Sequence, residues 1–454
     1  MSRRGPGRGA LRLCSGRAPG ALPTVKLRRQ PEDFHVTELS GVAPLPEGRH
    51  GLYRLEKRGL ATRDAVRAIQ RAWRLPGRAI AYGGLKDRHA VTVQHVSVQG
   101  GPPTGLDLPG LRLEYLGRLD RAFGPHDLLG NRFRLVLRDM VPEEVRAARE
   151  ALESLGNDGV PNYFDDQRFG SVTRDGLHVA EAWVREDYEG TLRRAFVDAN
   201  EHDRPVQRSI KRLLAERWGD WAGLCEALPG GQPAALAAWL AGHPGDFAGA
   251  LGLVPHDLRS LWLAAFQSAL WNDLLAEEVR EAAAPGDLVT LAGRAGPLPF
   301  WTRLAPAARE RLATLELPLP SARTEIPPGA LRERVERQLA ARGLTLAQLH
   351  VRRPKDSFFS RGWRPAVLRP TGLAVTVEPD SLYPGRHALT LAFDLPRGAY
   401  ATVIVKRLTA VARAGDEPQA VPPRTRRKQR LGRREREARK AGDAPPAGRH
   451  PPAP

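Results

Sequence analysis

The sequence predicts an α+β chain, and three observations carry that prediction. Alternating and β-branched stretches crowd the first third, ending in the run Arg132 to Arg138. A long helical pattern occupies residues 258–282. Strand-like runs return at residues 374–377, 388–393 and 401–405. Strands, then helices, then strands again suggest a sheet domain interrupted by an insertion.

The elements follow in chain order. Residues 1–22 are rich in Gly, Arg and Pro and are expected to be disordered, with order from near Thr24. Thr62 reads as a helix N-cap, because Ala65, Val66, Ile69, Ala72 and Trp73 recur behind it at helical spacing. Pro76-Gly77 ends that helix. Residues 79–82 read as a short strand, Gly83-Gly84 as a turn, and residues 91–98 as the next strand. The polar run Leu85-Lys86-Asp87-Arg88-His89 therefore falls on a loop between two strands. In the next alternating run Phe133, Leu135 and Leu137 face one way and Arg132, Arg134 and Arg138 the other, with Asn131 on the Phe133 face. In the long helix Trp262, Phe266, Ala269, Leu270 and Leu274 recur at mostly helical intervals. The turn Pro396-Arg397-Gly398 precedes the last predicted strand, 401–405.

Charge narrows the partner. The chain has 454 residues, 70 Lys and Arg against 51 Asp and Glu, and a net charge of +19. Residues 410–454 hold 12 basic and 5 acidic side chains, a net +7, which leaves 19 − 7 = +12 for the body. A body this basic points to a polyanion, RNA or DNA, since cations beside phosphates release condensed counterions. An anionic membrane ranks second, but no lipid-seeking amphipathic helix stands out, and no stretch approaches the ~18 apolar residues of a span. Two cysteines, Cys14 and Cys225, exclude a disulfide scaffold or a cysteine-rich zinc site and fit a reducing cytoplasm. No signal-peptide pattern, Walker loop, H-E-x-x-H or G-x-S-x-G motif occurs, and the 12 histidines lack metal-ligand spacing. No metal site and no cofactor are expected.

Three segments could carry chemistry. In Gly83 to Thr92 one carboxylate, Asp87, is flanked by Lys86, Arg88 and His89; nearby cations favour an ionised acid. The plain alternative is an exposed loop with a local salt bridge. In Pro161 to Gly170 aromatics interleave with Asn162, Gln167 and Arg168. That pattern suits base stacking, or aromatics that plug a domain junction. Asn131 with Phe133 could line a site, or Phe133 could be core.

Together these pieces resemble the TruD family of tRNA pseudouridine synthases. They run in the family's order: Pro31-Glu32-Asp33-Phe34 with Val36 and Glu38; Gly84-Leu85-Lys86-Asp87-Arg88-His89-Ala90-Val91-Thr92; Gly130-Asn131-Arg132-Phe133; Gly159 to Phe164 with Gln167-Arg168-Phe169-Gly170; Ser268-Ala269-Leu270-Trp271-Asn272; and Leu395-Pro396 with Gly398 to Thr402. The resemblance implies a pseudouridine-synthase catalytic domain with a mixed, mainly antiparallel sheet. It would be built from residues 23–158 and 369–409, around an inserted α/β TRUD domain at 159–368. Residues 410–454 would be a disordered basic tail. It implies a cytoplasmic, monomeric, cofactor-free isomerase acting on a uridine of tRNA, most often uridine 13. Asp87 would be its catalytic carboxylate. Phe34, Asn131, Phe133, Tyr400 and Lys86 would bind the substrate, with Lys86 and Arg88 keeping Asp87 ionised or holding phosphate. The chain departs from the family at Gly83, often Ala; at Asp165, usually Gly; at Tyr400, Phe in some members; and at Arg28, often Lys. Its inserted region is longer around residues 190–255. Two rival readings are a non-catalytic RNA-binding protein that keeps the fold, against which the acid at Asp87 argues, and a glycosidic hydrolase pairing Asp87 with Asp165 or Asp166.

Overall fold

The structure, a computed structural model, describes residues 26–201 and 203–414. The expectations for residues 1–22 and for the tail past 414 lie outside them. The N-terminal part holds β1 (Lys26–Leu27), β2 (Phe34–Ser40), β3 (His50–Arg58), α1 (Thr62–Ala72), β4 (Ile80–Tyr82), β5 (Val91–Gln99), β6 (Leu106–Leu108), β7 (Leu111–Leu119) and β8 (Leu128–Met140). The next stretch is mostly helical: α2 (Pro142–Asp158), β9 (Val160–Pro161), α3 (Val179–Trp183), α4 (Tyr188–Phe196), α5 (Pro205–Arg217), α6 (Trp221–Ala227), α7 (Gln232–Gly242), α8 (Phe247–Gly252) and α9 (His256–Ala282). There follow β10 (Leu288–Gly293), β11 (Gly296–Trp301), α10 (Pro306–Thr314), β12 (Glu316–Pro318), α11 (Ala330–Ala341), β13 (Trp363–Pro365) and β14 (Val367–Leu368). The chain closes with β15 (Thr371–Pro379), β16 (His387–Pro396) and α12 (Ala401–Ala414).

The fold class is the predicted one. Ten strands make one sheet in the order β15-β16-β8-β2-β5-β3-β7-β6, with β1 on β8 and β4 on β5. Only β2 and β5 pair in parallel within it, among the described residues. β9 and β14 pair with each other, away from this sheet. One face of the sheet carries Leu135, Leu137, Leu389, Leu391 and Phe393, and α2 and α12 belong to the same core through Leu152, Leu155, Val403 and Ile404. At ~25 cal/mol per Å² of apolar surface, this shared core is the main force fixing β8 and β16. α9 is buried on most of its circumference, including Phe266, Trp271 and Leu275.

Two details differ from the sequence reading. Residues 401–405 begin helix α12 rather than a strand. A short apolar run fits either state, and here the helix continues to Ala414, with residues 401–410 covered on most sides. Thr62 is the first helical residue and not the cap, which is Ala61. Its hydroxyl accepts from the Lys86 amide instead, at 2.9 Å. Arg138 lies on the face opposite Phe133, as its alternation predicts, and its guanidinium is buried there between Asp33 and Asp380, at 2.7 and 2.8 Å.

Candidate active site

β2 and β8 are antiparallel neighbours near the middle of the sheet, and their register decides which side chains meet. Val36 lies opposite Phe133 and Glu38 opposite Asn131. On the other side of β8, Phe133 lies opposite Phe393 and Asn131 opposite Leu395. Directly opposed residues share a face, so Phe34, Val36, Glu38, Asn131 and Phe133 project together. Phe34 and Phe133 pack edge to face at 6.2 Å, and Phe133 stacks on Phe393 at 5.7 Å.

The polar run 83–90 is a loop between β4 and β5, as its spacing predicts. It crosses the end of that face and is pinned from beneath. Buried Lys57 on β3 donates to the carbonyls of Leu60 and Asp87, both at 2.7 Å, and lies 3.4 Å from that of Lys86. Thr62 accepts from the Lys86 amide and donates to Gln94 Oε1 at 3.0 Å, while Gln94 Nε2 reaches the Gly84 carbonyl at 3.3 Å. Burial pushes the Lys57 ammonium down to about 8, against the pull of the Asp87 carboxylate. The glycine at 83, where the family often has Ala, fits the packing: a Cβ there would stand 2.8 Å from the Leu128 side chain.

The loop, the strands and the segment before α12 enclose one cavity of about 200 Å³. Asp87, Lys86, Phe34, Asn131, Phe133 and Tyr400 all line it, with Arg28, Gln167 and Thr402. All six residues expected at the site therefore meet in one place. Drug-sized ligands need about 300–1,000 Å³, so this cavity suits a single planar group rather than a dinucleotide.

The cation on Asp87 is not Lys86, as the sequence suggests, but Arg28. Arg28 Nη2 donates to Asp87 Oδ2 at 2.9 Å, and its guanidinium lies 3.7 Å from the centre of the Phe34 ring. Its φ of 62° lies in the left-handed region, a strained setting that recurs at functional sites. The Asp87 side chain keeps 37% of its exposure, enough to reach a substrate. Lys86 turns away from it, toward Asn131 Oδ1 at 2.7 Å and Glu38 Oε2 at 3.1 Å. Arg88 and His89 are exposed to solvent and do not line the cavity.

The second cluster resolves to the structural alternative. Tyr163, Phe164 and Phe169 are buried; Tyr163 packs on Phe300, and Phe164 on Trp271 and Tyr400. Only Gln167 of that segment reaches the cavity. Asp165, with φ −92°, needs no left-handed geometry. Its carboxylate accepts from Thr402 and pairs with Lys406 Nζ at 2.5 Å, and Asp166 pairs with the same ammonium at 2.8 Å. Both acids are thus committed to Lys406, which removes the hydrolase pairing with Asp87. Arg364, unremarked in the sequence, braces Tyr400's segment. It donates to the Gly398 carbonyl at 3.0 Å and to Asn162 Oδ1 at 2.6 Å, over the Phe164 ring at 4.3 Å. Burial lowers it to about 10, with Tyr400 acting in the opposite sense.

Lys57 had a signal in the sequence, since it continues the buried Tyr53 and Leu55 alternation of β3. Arg28 had only its place at a position where the family often has Lys, and Arg364 had none, because their roles depend on contacts across 59 and 34 residues of chain.

Comparison with known proteins places the chain in a family. The family model of tRNA pseudouridine synthase D (TruD) matches residues 22–408. A Geobacter sulfurreducens tRNA pseudouridine synthase D is 33% identical over 84% of this chain and 93% of its own. A Methanocaldococcus jannaschii protein named probable tRNA pseudouridine synthase D 2 is 31% identical over 84% and 91%. A crystal structure from Methanosarcina mazei assigned to tRNA pseudouridine synthase D (TruD) superposes with a TM-score of 0.65 at 25% identity, covering 85% of this chain and 93% of that one. With the family model matched along residues 22–408 and relatives above 30% identity along most of its length, the chain belongs to the TruD family of tRNA pseudouridine synthases.

Proposed function

We propose that this chain converts one uridine of tRNA, uridine 13, to pseudouridine, with Asp87 as the catalytic carboxylate. The observation that carries this reading is a half-exposed carboxylate, braced by Arg28 at 2.9 Å, opening into a cavity walled by Phe34, Phe133 and Tyr400. The position within the tRNA rests on the family alone. The reaction breaks the N1–C1′ bond of the uridine and joins C1′ to C5 of the same base. The C5 proton leaves and N1 gains one, so atoms balance within the substrate and the chemistry needs no cofactor. The uridine must leave its stack for Asp87 to reach the sugar. The aromatic walls take the extruded base. Asp87 then removes the C2′ proton or attacks C1′, and Arg28, 2.9 Å away, holds the carboxylate in place for either step. Residues 159–368 form an inserted unit in this reading, supported by the pairing of β9 with β14 where its two ends meet.

Asp87→Asn keeps the size of the side chain and removes its charge. Pseudouridine formation on tRNA is expected to fall below detection, while tRNA affinity stays near that of the natural chain. Near-normal turnover by the variant would overturn the assignment. Release of free uracil by the natural protein would return the reaction to hydrolysis.

A further inference from the structure

A carboxamide has a donor side and an acceptor side, so Asn131 could read a base in either sense. Its surroundings choose one. Lys86 Nζ stands 2.7 Å from Asn131 Oδ1. An ammonium only donates, so the amide oxygen must face it; the reversed amide would set N–H against N–H. Lys86 is held in turn by Glu38, the residue directly opposite Asn131, at 3.1 Å. The Glu38 side chain is fully buried, and its Oε1 accepts from the His95 amide at 2.9 Å with His95 Nδ1 at 3.3 Å. Burial alone would raise its carboxyl, but His95 and Lys86 outweigh burial and hold it below the usual range. Glu38 is therefore an anion, and the ammonium that balances it is itself nearly buried.

We propose that Glu38 and Lys86 are positioning residues that fix the polarity of Asn131, so that it donates through Nδ2 to a carbonyl oxygen of the target base. A base carrying a carbonyl at that point fits the donor; an amino group there would meet it donor to donor. This deepens the reading of the cavity as the uridine site and rests on it.

The test is a double-mutant cycle on tRNA with Glu38→Gln, Asn131→Ala and the pair, each also melted thermally. Glu38→Gln is expected to lower kcat roughly 3- to 10-fold, the worth of a neutral hydrogen bond from Asn131 to the base, with little change in KM. In the Asn131→Ala background it should cost nothing more, because its effect passes through Asn131. Costs that multiply across the cycle would overturn the proposal. Asn131→Asp guards against a Glu38 variant that fails to fold. It keeps an acceptor for Lys86 and has no donor, and should lose as much kcat as Asn131→Ala; natural turnover would also overturn the proposal. Asp87→Asn is the control. Were it active, the site reading itself would fall, whereas an inactive control beside a multiplicative cycle removes only the role of Glu38 and Lys86.

Discussion

Asp33 shows how one side chain shapes the rim of the cavity. Its Oδ2 accepts from the amides of Arg29 and Gln30, at 2.9 and 3.1 Å, and its Oδ1 from Arg138 Nε at 2.7 Å. These bonds fold residues 28–34 into the turn that carries Arg28 to Asp87 and Phe34 to the cavity wall. Asp33→Ala would leave the buried guanidinium with Asp380 and the Ser381 hydroxyl only, and two amides unpaired. The expected cost is about 3–5 kcal/mol, read from urea unfolding, with a matching loss of turnover. A cost below about 1 kcal/mol, the worth of a surface pair, would show that the turn stands without Asp33. The motif Pro31-Glu32-Asp33-Phe34 was legible in the sequence, but its reason was not. Alternation along β8 gives the face on which Arg138 lies, not what covers it, and the cover comes from Asp33 and from Asp380, 242 residues away.

At the scale of elements, the loop 83–90 was legible because turn residues and β-branched runs bracket it. Its rigidity was not, because the groups that pin it come from β3, α1 and β5. Helix α12 escaped the sequence for a related reason: whether 401–405 is strand or helix depends on the core that α12 shares with α2 and the sheet, and that core is assembled only by the fold. Lys57 gives the pinning a measurable signature. Its ammonium titrates near 8 in the folded chain against 10.5 for an ordinary lysine. Between those values the unfolded chain binds the extra proton, so stability from this group rises with pH. Burying the charge costs stability in full below about pH 8, and the cost is gone above the unfolded value. Lys57→Met has no such titration. The stability of the natural chain relative to that variant is therefore expected to improve as pH climbs from about 8 toward 10.5. A difference independent of pH across that window would mean that Lys57 is not desolvated beneath the loop. Turnover of the variant should also drop, since the Asp87 carbonyl loses its donor.

For the whole molecule, charge was the feature most readily taken from composition, because a sum needs no contacts. Where it acts depends on the boundary between body and tail. The sequence set that boundary at 410, yet α12 runs to Ala414 and buries Val405, Leu408 and Ala410 in the main core. A deletion that tests the tail must therefore keep the helix and remove only residues 415–454, which carry 11 basic and 5 acidic side chains, a net +6. Each phosphate neutralised adds about 0.7–0.9 to the slope of log affinity against log salt. If the tail touches RNA, its deletion weakens tRNA binding chiefly at low salt and flattens that slope in proportion to the phosphates the tail had neutralised. The cavity lies wholly within residues 28–402, so kcat at saturating tRNA should be unchanged. An unaltered slope would assign RNA binding to the body, whose own net 19 − 6 = +13 suffices for it, whereas a fall in kcat at saturation would give the tail a part in placing the uridine over Asp87.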